Sequence, residues 1–251
     1  MIKPVKKAII LAAGRGKRLM PLTADKPKPM VDISGKPLLE WIIREFAAVG
    51  ITETIVIYGY LGDVIKDYFG DGSKFGMKMT YIEQTVLNGT AGAMLLAEEA
   101  CGDDPVLLHW GDIMTAPENL TAVFNIANTH PANADCVLSI NWVDDPWAGG
   151  AVYRNGNRVK KLIEKPQPGT AGTNWNIGGI IVYSEKIWQY LHKMNISGEK
   201  ERYVTEAMDM MIQDGLPVIC HELIQERVHF TTPEDVAKLE NDPRLREWVK
   251  I

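Results

Sequence analysis

The segment Leu11-Ala12-Ala13-Gly14-Arg15-Gly16-Lys17-Arg18-Leu19 follows an apolar run and sets two glycines among three cations, the residue types that bind phosphate. Two familiar phosphate loops fail here. A Walker A loop needs GxxxxGK[ST], but Arg18 follows Gly16-Lys17 and no glycine opens the motif. The dinucleotide fingerprint GxGxxG needs a small residue where Leu19 stands. What remains is a strand feeding a glycine loop whose amides can approach a phosphate, with Arg18 and Lys28 placed to neutralise it. Taken alone, a GxG with basic neighbours is equally a surface turn. A second candidate is Asp112, which follows the apolar run Val106–Trp110 and Gly111. A carboxylate there stands at the C-terminal edge of a sheet, where open α/β folds bind ligands, and can hold Mg²⁺ between two phosphates. An Asp after Gly is also an ordinary turn residue or N-cap.

The elements that must position these groups alternate. Lys7–Ala12 reads as a buried strand, and Gly14–Pro29 as a long loop of the functional kind. Pro37 then opens a helix that Gly50 closes. Strands at Thr54–Tyr58, Lys78–Ile82, Val106–Trp110 and Asp135–Trp142 alternate with helices at Asp63–Phe69, Thr90–Ala100 and Pro117–Asn128. This pattern predicts an α/β fold with a doubly wound, mostly parallel sheet. From Ala151 the pattern changes to a hairpin, Ala151–Tyr153 with Val159–Ile163, then strand Gly179–Tyr183, helices near Glu185–His192 and Arg202–Asp214, and strand Pro217–His221. One domain is expected, divided into residues 1–145, a small antiparallel part at 146–232, and a helical tail at 233–251.

The 251 residues are 46% hydrophobic and 24% charged, enough apolar material for a sizeable core. The net charge of −5 argues against a nucleic-acid binder, yet residues 1–36 hold nine cations and two acids. A small basic pocket in an acidic protein suits a small anionic ligand. The run Ala8–Ala13 is too short to cross a membrane, and no signal peptide is expected. Cys101, Cys136 and Cys220 lie far apart without a CxxC pair, which fits a reducing cytoplasm. Three glycosylation sequons, at Asn88, Asn119 and Asn195, read as chance.

The longer pattern Gly14-x-Gly16-x-Arg18-Leu19-x-Pro21-Leu22-Thr23-x-x-x-Pro27-Lys28-Pro29-Met30 fixes eleven positions over seventeen residues. It resembles the signature of the sugar-1-phosphate nucleotidylyltransferases. The resemblance continues through Gly35-Lys36-Pro37-Leu38, Tyr68–Gly72 with Phe75-Gly76, Glu83-Gln84 with Gly89–Ala93, Gly111-Asp112, Glu164-Lys165-Pro166, Asn176–Gly179 and Thr232–Asp235. It implies a Rossmann-like nucleotidyltransferase fold whose small antiparallel part binds sugar. The implied reaction joins a nucleoside triphosphate to a sugar 1-phosphate with Mg²⁺ as cofactor and release of pyrophosphate. A homo-oligomer is compatible with it.

The resemblance assigns Arg18 to the leaving pyrophosphate, Lys28 to the reacting phosphate and Asp112 to the metal. Leu11, Ala12, Ala13, Gly14, Gly16, Gln84, Gly89 and Thr90 would hold the nucleotide. The Gln84 amide can pair with the O4 and N3–H edge of uracil or thymine, so UTP or dTTP is favoured; a flipped amide can read cytosine. Glu164, Lys165, Asn176 and the Gly150 amide would hold the sugar phosphate. Trp147 and Trp175 either stack on the sugar or join the core. Many family members have an aspartate where this chain has His229, a poor Mg²⁺ ligand. Asp112 then acts with phosphate and water alone, another acid such as Glu226 or Asp209 completes the site, or activity is weakened. The other histidines, His109, His130, His192 and His221, read as structural. Competing functions are a same-fold enzyme using CTP, GTP or another phosphorylated acceptor such as phosphocholine or a heptose phosphate, and a non-catalytic nucleotide-sugar-binding paralogue.

Overall fold

The computed structural model describes residues 3–129, 134–225 and 227–249. The first half runs through β1 (Lys7–Ala12), β2 (Asp32–Ile33), β3 (Lys36–Pro37), α1 (Leu38–Val49), β4 (Glu53–Tyr58), α2 (Gly62–Phe69), β5 (Lys78–Glu83), α3 (Gly89–Leu95), α4 (Glu98–Cys101), β6 (Val106–Trp110), β7 (Ile113–Met114) and α5 (Pro117–Thr129). The second half comprises β8 (Cys136–Trp142), β9 (Gly150–Asn155), β10 (Arg158–Glu164), β11 (Trp175–Tyr183), α6 (Ile187–Lys193), α7 (Val204–Gln213), β12 (Val218–Glu222), β13 (Val228–His229), α8 (Pro233–Glu240) and α9 (Pro243–Trp248).

Nine strands form one sheet in the order β5-β4-β1-β6-β11-β8-β12-β10-β9. Adjacent strand residues point to opposite faces, and here both faces are apolar. Ile10, Leu107 and Ile180 join Phe46 of α1 and Leu120 of α5 in one layer. Ile9, Leu108 and Ile181 join Leu191 of α6 and Met208 of α7 in the other. Helices therefore cover both faces and leave the strand ends as the open edge for chemistry.

The sheet is mixed, which corrects the expectation of a mostly parallel one. β5, β4, β1 and β6 are parallel, as the alternation implies. β11 then enters antiparallel between β6 and β8, and β10 and β9 continue antiparallel beyond β12. An all-apolar run such as Ile180–Tyr183 signals burial on two faces and carries no direction, so the reversal is not encoded in the pattern. The hairpin β9–β10 belongs to the same sheet, with Arg158 opposite Ile219 and Ala151 opposite Asn176.

Local signals explain most element ends. Gly50 sits at φ 86°, and the bonds Gly50 N–H to Ala47 O (3.1 Å) and Ile51 N–H to Phe46 O (3.0 Å) close a Schellman motif on α1. The expected helix Thr90–Ala100 divides at Leu96–Ala97, where the Ala97 N–H bonds back three residues to Met94 O (2.9 Å). Thr232 and Asp235 form a capping box on α8. Three backbone and hydroxyl bonds from Thr231 and Thr232 to Asp235 Oδ2 (2.9–3.0 Å) hold that carboxyl down at about 2.

Candidate active site

β1 delivers Leu11 and Ala12 to the C-terminal edge of the sheet, and the loop after it folds back as a series of tight turns. Leu19 N–H bonds to Gly16 O (2.9 Å), Thr23 Oγ1 donates to the same carbonyl (3.0 Å), and Met30 N–H bonds to Pro27 O (2.8 Å). Two of these turns are short 3-10 segments, Lys17–Leu19 and Lys28–Met30. They turn a glycine-rich loop into a fixed rim.

One cavity of about 210 Å³ is lined by Leu11, Ala12, Gly14, Gly16, Arg18, Lys28 and Asp112, together with Pro29. The loop cations and the acid after β6 thus share one space. Lys28 Nζ donates to Asp112 Oδ2 at 2.8 Å and lies 5.2 Å from the Phe230 ring centroid. The lysine side chain is 13% exposed and the aspartate 45%, so the acid faces the cavity while the base is held against an aromatic wall. Arg18 is exposed and, among the described residues, in no salt bridge.

A second cavity of about 320 Å³ shares Leu11 and Gly14 with the first and adds Ala13, Gln84, Gly89, Thr90 and Lys165. Gln84 is buried, and its Nε2 donates to Asn88 Oδ1 (3.2 Å) and Gly89 O (3.3 Å). These bonds orient the amide nitrogen inward and leave the Gln84 carbonyl oxygen as the available acceptor. Gly89 is forced by packing: at φ 90° an added Cβ would stand 2.2 Å from Arg202 O. The close approach joins Asn88–Ala91 to the Glu201–Tyr203 backbone, with Arg202 N–H bonding to Asn88 O (2.8 Å) and Ala91 N–H to Arg202 O (3.0 Å).

Glu164, Gly150 and Asn176 form a third group. Thr205 Oγ1 donates to Glu164 Oε2 at 2.6 Å, and burial raises the Glu164 carboxyl above its ordinary range. A Cβ on Gly150 would lie 2.8 Å from Ile177 Cδ1 and 3.3 Å from Glu164 Oε2, so a side chain here would have to displace Ile177 and crowd the carboxylate. The Asn176 side chain lies 3.1–3.3 Å from the carbonyls of Pro146, Gly150 and Trp175, which identifies the atom facing them as the amide nitrogen. Lys165, at φ 41°, reaches away from Glu164: its Nζ donates to Tyr203 OH (2.9 Å) and sits 4.3 Å from that ring's centroid.

Other expected residues go elsewhere. Trp175 packs edge-on against Trp142 at 5.4 Å and beneath Arg154 at 4.4 Å, in an outer groove with Tyr153. Trp147 is exposed. Asp209 spends its oxygens on Leu162 N–H (2.8 Å) and Gln213 Nε2 (2.6 Å), away from Asp112. His229 pairs with Ile113, next to Asp112 in the chain. Burial first, then Arg227 and Lys28, hold its ring below the ordinary imidazole value. His109 is buried, with Nδ1 2.7 Å from Trp110 O and its pKa pushed down to about 4 by burial. His192 meets Glu98 at 2.8 Å, and burial lowers His221. His130 and Glu226 lie outside the described residues.

The sequence motifs omit three groups: Tyr203, which lines the second cavity, Thr205, which bonds Glu164, and Arg227, which bonds the Ile177 carbonyl next to Asn176. Thr205 and Tyr203 fall in a plain helix start, and Arg227 in a stretch with no motif. No cluster of three or more His, Cys, Asp or Glu side chains with metal-site geometry occurs among the described residues. Asp112 is the one carboxylate lining the loop cavity. Mg²⁺ commonly takes one or two carboxylates and completes its shell with water and substrate phosphates, so this hard oxygen donor beside a phosphate loop fits that ion.

A phosphate-type loop and a lone acid around one cavity, joined to a second that holds Gln84 and Lys165, suit a nucleotide-handling transferase, and comparison with known proteins agrees. The family model described as nucleotidyl transferase matches residues 7–236, and the chain belongs to that family. It is 29% identical over 242 residues to the UTP–glucose-1-phosphate uridylyltransferase of Haloferax volcanii, covering 96% of this chain and 97% of that protein. It is 31% identical over 215 residues to the glucose-1-phosphate thymidylyltransferase of Streptomyces antibioticus, covering 84% of this chain and 59% of that one. A crystal structure of a UDP-glucose pyrophosphorylase complexed with UDP-glucose shares the fold, with a TM-score of 0.83 at 20% identity over 96% of this chain and 99% of that one.

Proposed function

We propose that the protein transfers a nucleotidyl group from a nucleoside triphosphate, UTP or dTTP in preference, to a sugar 1-phosphate, forming a nucleotide sugar and releasing pyrophosphate. The observation that carries this is the grouping of Arg18, Lys28 and Asp112 around one cavity that continues, through Leu11 and Gly14, into the cavity of Gln84, Gly89 and Lys165. Two phosphorylated molecules can meet only where such cations converge.

In this proposal an oxygen of the sugar phosphate attacks the α-phosphorus as the bond to the β-phosphate bridge breaks, and pyrophosphate leaves in line. The attacking oxygen is already ionised, so no general base is required. Rate enhancement then comes from positioning and from charge stabilisation. Amides at Gly14 and Gly16 and the Arg18 guanidinium take the departing phosphates, and Lys28 faces the α-phosphoryl oxygens. Asp112 would hold Mg²⁺, which supplies neutralising charge between phosphates when bound. Lys28 neutralises Asp112 until ligands arrive.

The free acceptor oxygen of Gln84 can take the N3–H of uracil or thymine. Glu164, Asn176 and the Gly150 amide present acceptors and donors to sugar hydroxyls, with Lys165 beside the acceptor phosphate. Cytoplasmic residence belongs to the same proposal and is supported by three buried free cysteines. No helix among the described residues is long and apolar enough to cross a membrane. A pyrophosphate-release panel of five nucleotides against several hexose 1-phosphates tests the assignment. Highest rates with UTP or dTTP support it, and release confined to CTP, GTP or ATP would refute the base preference.

A further inference from the structure

Among the described residues, Arg227 is a cation in no salt bridge. Its guanidinium lies 5.4 Å from the Trp110 ring centroid, and its Nη1 donates to the Ile177 carbonyl at 3.2 Å. No carboxylate lies within salt-bridge distance among the described residues, and Asp112, the acid at the end of the neighbouring strand, is taken by Lys28. The Nε of Arg227 is buried with no acceptor, and so is Nε1 of Trp110, the ring it covers. Two adjacent elements thus each hold a donor out of water and offer it nothing. The arginine as a whole is half-buried, and a donor held out of water with no acceptor costs stability unless a ligand completes it.

The position of this charge identifies the ligand. Ile177, whose carbonyl Arg227 holds, follows Asn176 of the carboxyl–amide–glycine group. Trp110 ends β6, two residues before Asp112. Arg227 immediately precedes β13, where Val228 enters the core and His229 is exposed, and it lies near enough to Asp112 for their charges to interact. A sugar 1-phosphate running from Glu164 and Asn176 toward Lys28 and Asp112 would pass beside the Ile177 carbonyl that Arg227 holds.

We infer that Arg227 binds the phosphate of the acceptor, holding the attacking oxygen beneath the α-phosphoryl group. The inference rests on the reaction proposed above and adds to it a binding residue that no sequence motif marks. Planar guanidinium donors match phosphate oxygens better than an ammonium does. With Lys165, whose Nζ rests on Tyr203, Arg227 would give the acceptor phosphate two cations.

The test uses Arg227→Met, which keeps an apolar contact with Trp110, and Arg227→Lys, which keeps only the charge. Steady-state rates are read with UTP and glucose 1-phosphate, and melting temperature is read with and without inorganic phosphate or glucose 1-phosphate. Arg227→Met is expected to raise the KM for glucose 1-phosphate ten- to a hundred-fold and leave the KM for UTP within about two-fold. Its melting temperature without ligand should be no lower than the parent's, and the rise that phosphate gives the parent should disappear. Arg227→Lys should fall between the two. An unchanged acceptor KM with a full phosphate response would overturn the inference. So would a lowered melting temperature with equal losses for both substrates, the mark of a structural brace. Should Arg227→Met fail to fold, the same readouts on Arg227→Lys decide. The phosphate-dependent melting shift needs no turnover, so a parent that releases no pyrophosphate would refute the proposed reaction and leave this site to be judged on binding.

Discussion

Replacing Lys28 with Ala removes the cation closest to the expected site of bond exchange. Its side chain is only 13% exposed, so its charge acts through a medium of low effective dielectric. A unit charge about 4 Å from a developing negative charge contributes about 4 kcal/mol at an effective dielectric constant of about 20. Part of that is already present in the ground state, which leaves about 3–4 kcal/mol for the transition state, or a loss of roughly 10²–10³ in kcat. The folding cost is smaller. Asp112 is 45% exposed and regains water when its partner goes, so the broken pair accounts for about 1 kcal/mol or less. The lost contact with Phe230 adds about 0.5–1 kcal/mol. Continuous pyrophosphate release at saturating UTP and glucose 1-phosphate, with a thermal melt alongside, separates the two effects. Turnover within five-fold of the parent in a folded variant would remove Lys28 from the chemistry.

Three further outcomes are expected. Asp112→Asn should lower activity by at least about two orders of magnitude and flatten its response to Mg²⁺; a magnesium titration superimposable on the parent's would contradict the metal assignment. Glu45, buried in α1, has its carboxyl pushed up to about 8 by burial first and then by Glu118. Between pH 4.5 and 8 the unfolded chain has lost this proton while the folded chain keeps it, so stability falls as pH rises, by at most about 5 kcal/mol. Glu45→Gln should therefore melt above the parent at pH 8–9 and with it near pH 4, whereas a gap independent of pH would show that the carboxyl does not titrate this way. Gly89→Ala should cost about 2–4 kcal/mol, because its Cβ would meet Arg202 O at 2.2 Å with φ at 90°. It should also weaken UTP binding by moving the backbone that carries Gln84's partner, and an unchanged melt and KM would show that the loop yields freely.

Sequence reasoning succeeds here where a single local pattern is sufficient. Val106–Trp110 is a strand with those bounds because an apolar run, four of its five residues buried, ends at a glycine, and the loop after β1 holds Arg18 and Lys28 in one cavity with Asp112. The direction of β11 was not legible, since Ile180–Tyr183 looks alike from either end. The split of the helix after Gly89 escaped for a related reason: Leu96 and Ala97 are good helix formers, and the change to three-residue bonding there is a tertiary effect. Arg227 had no signal beyond being a cation that follows Gln225 and Glu226. Its meaning arises only when β13 pairs with β7 and brings it over Trp110. Trp175 lies opposite Trp142 in the β11–β8 ladder and lines an outer groove with Tyr153 and Arg154, a placement that no local pattern encodes.

The central claim is direct transfer between two substrates bound together in one cleft. UTP labelled at the α-phosphorus, mixed with excess protein in a single turnover, addresses it without assumptions about specificity. With glucose 1-phosphate present, label should pass into nucleotide sugar with one pyrophosphate released for each label moved, and without it label should remain in UTP. Label on the protein, or pyrophosphate released in the absence of any sugar phosphate, would contradict the account.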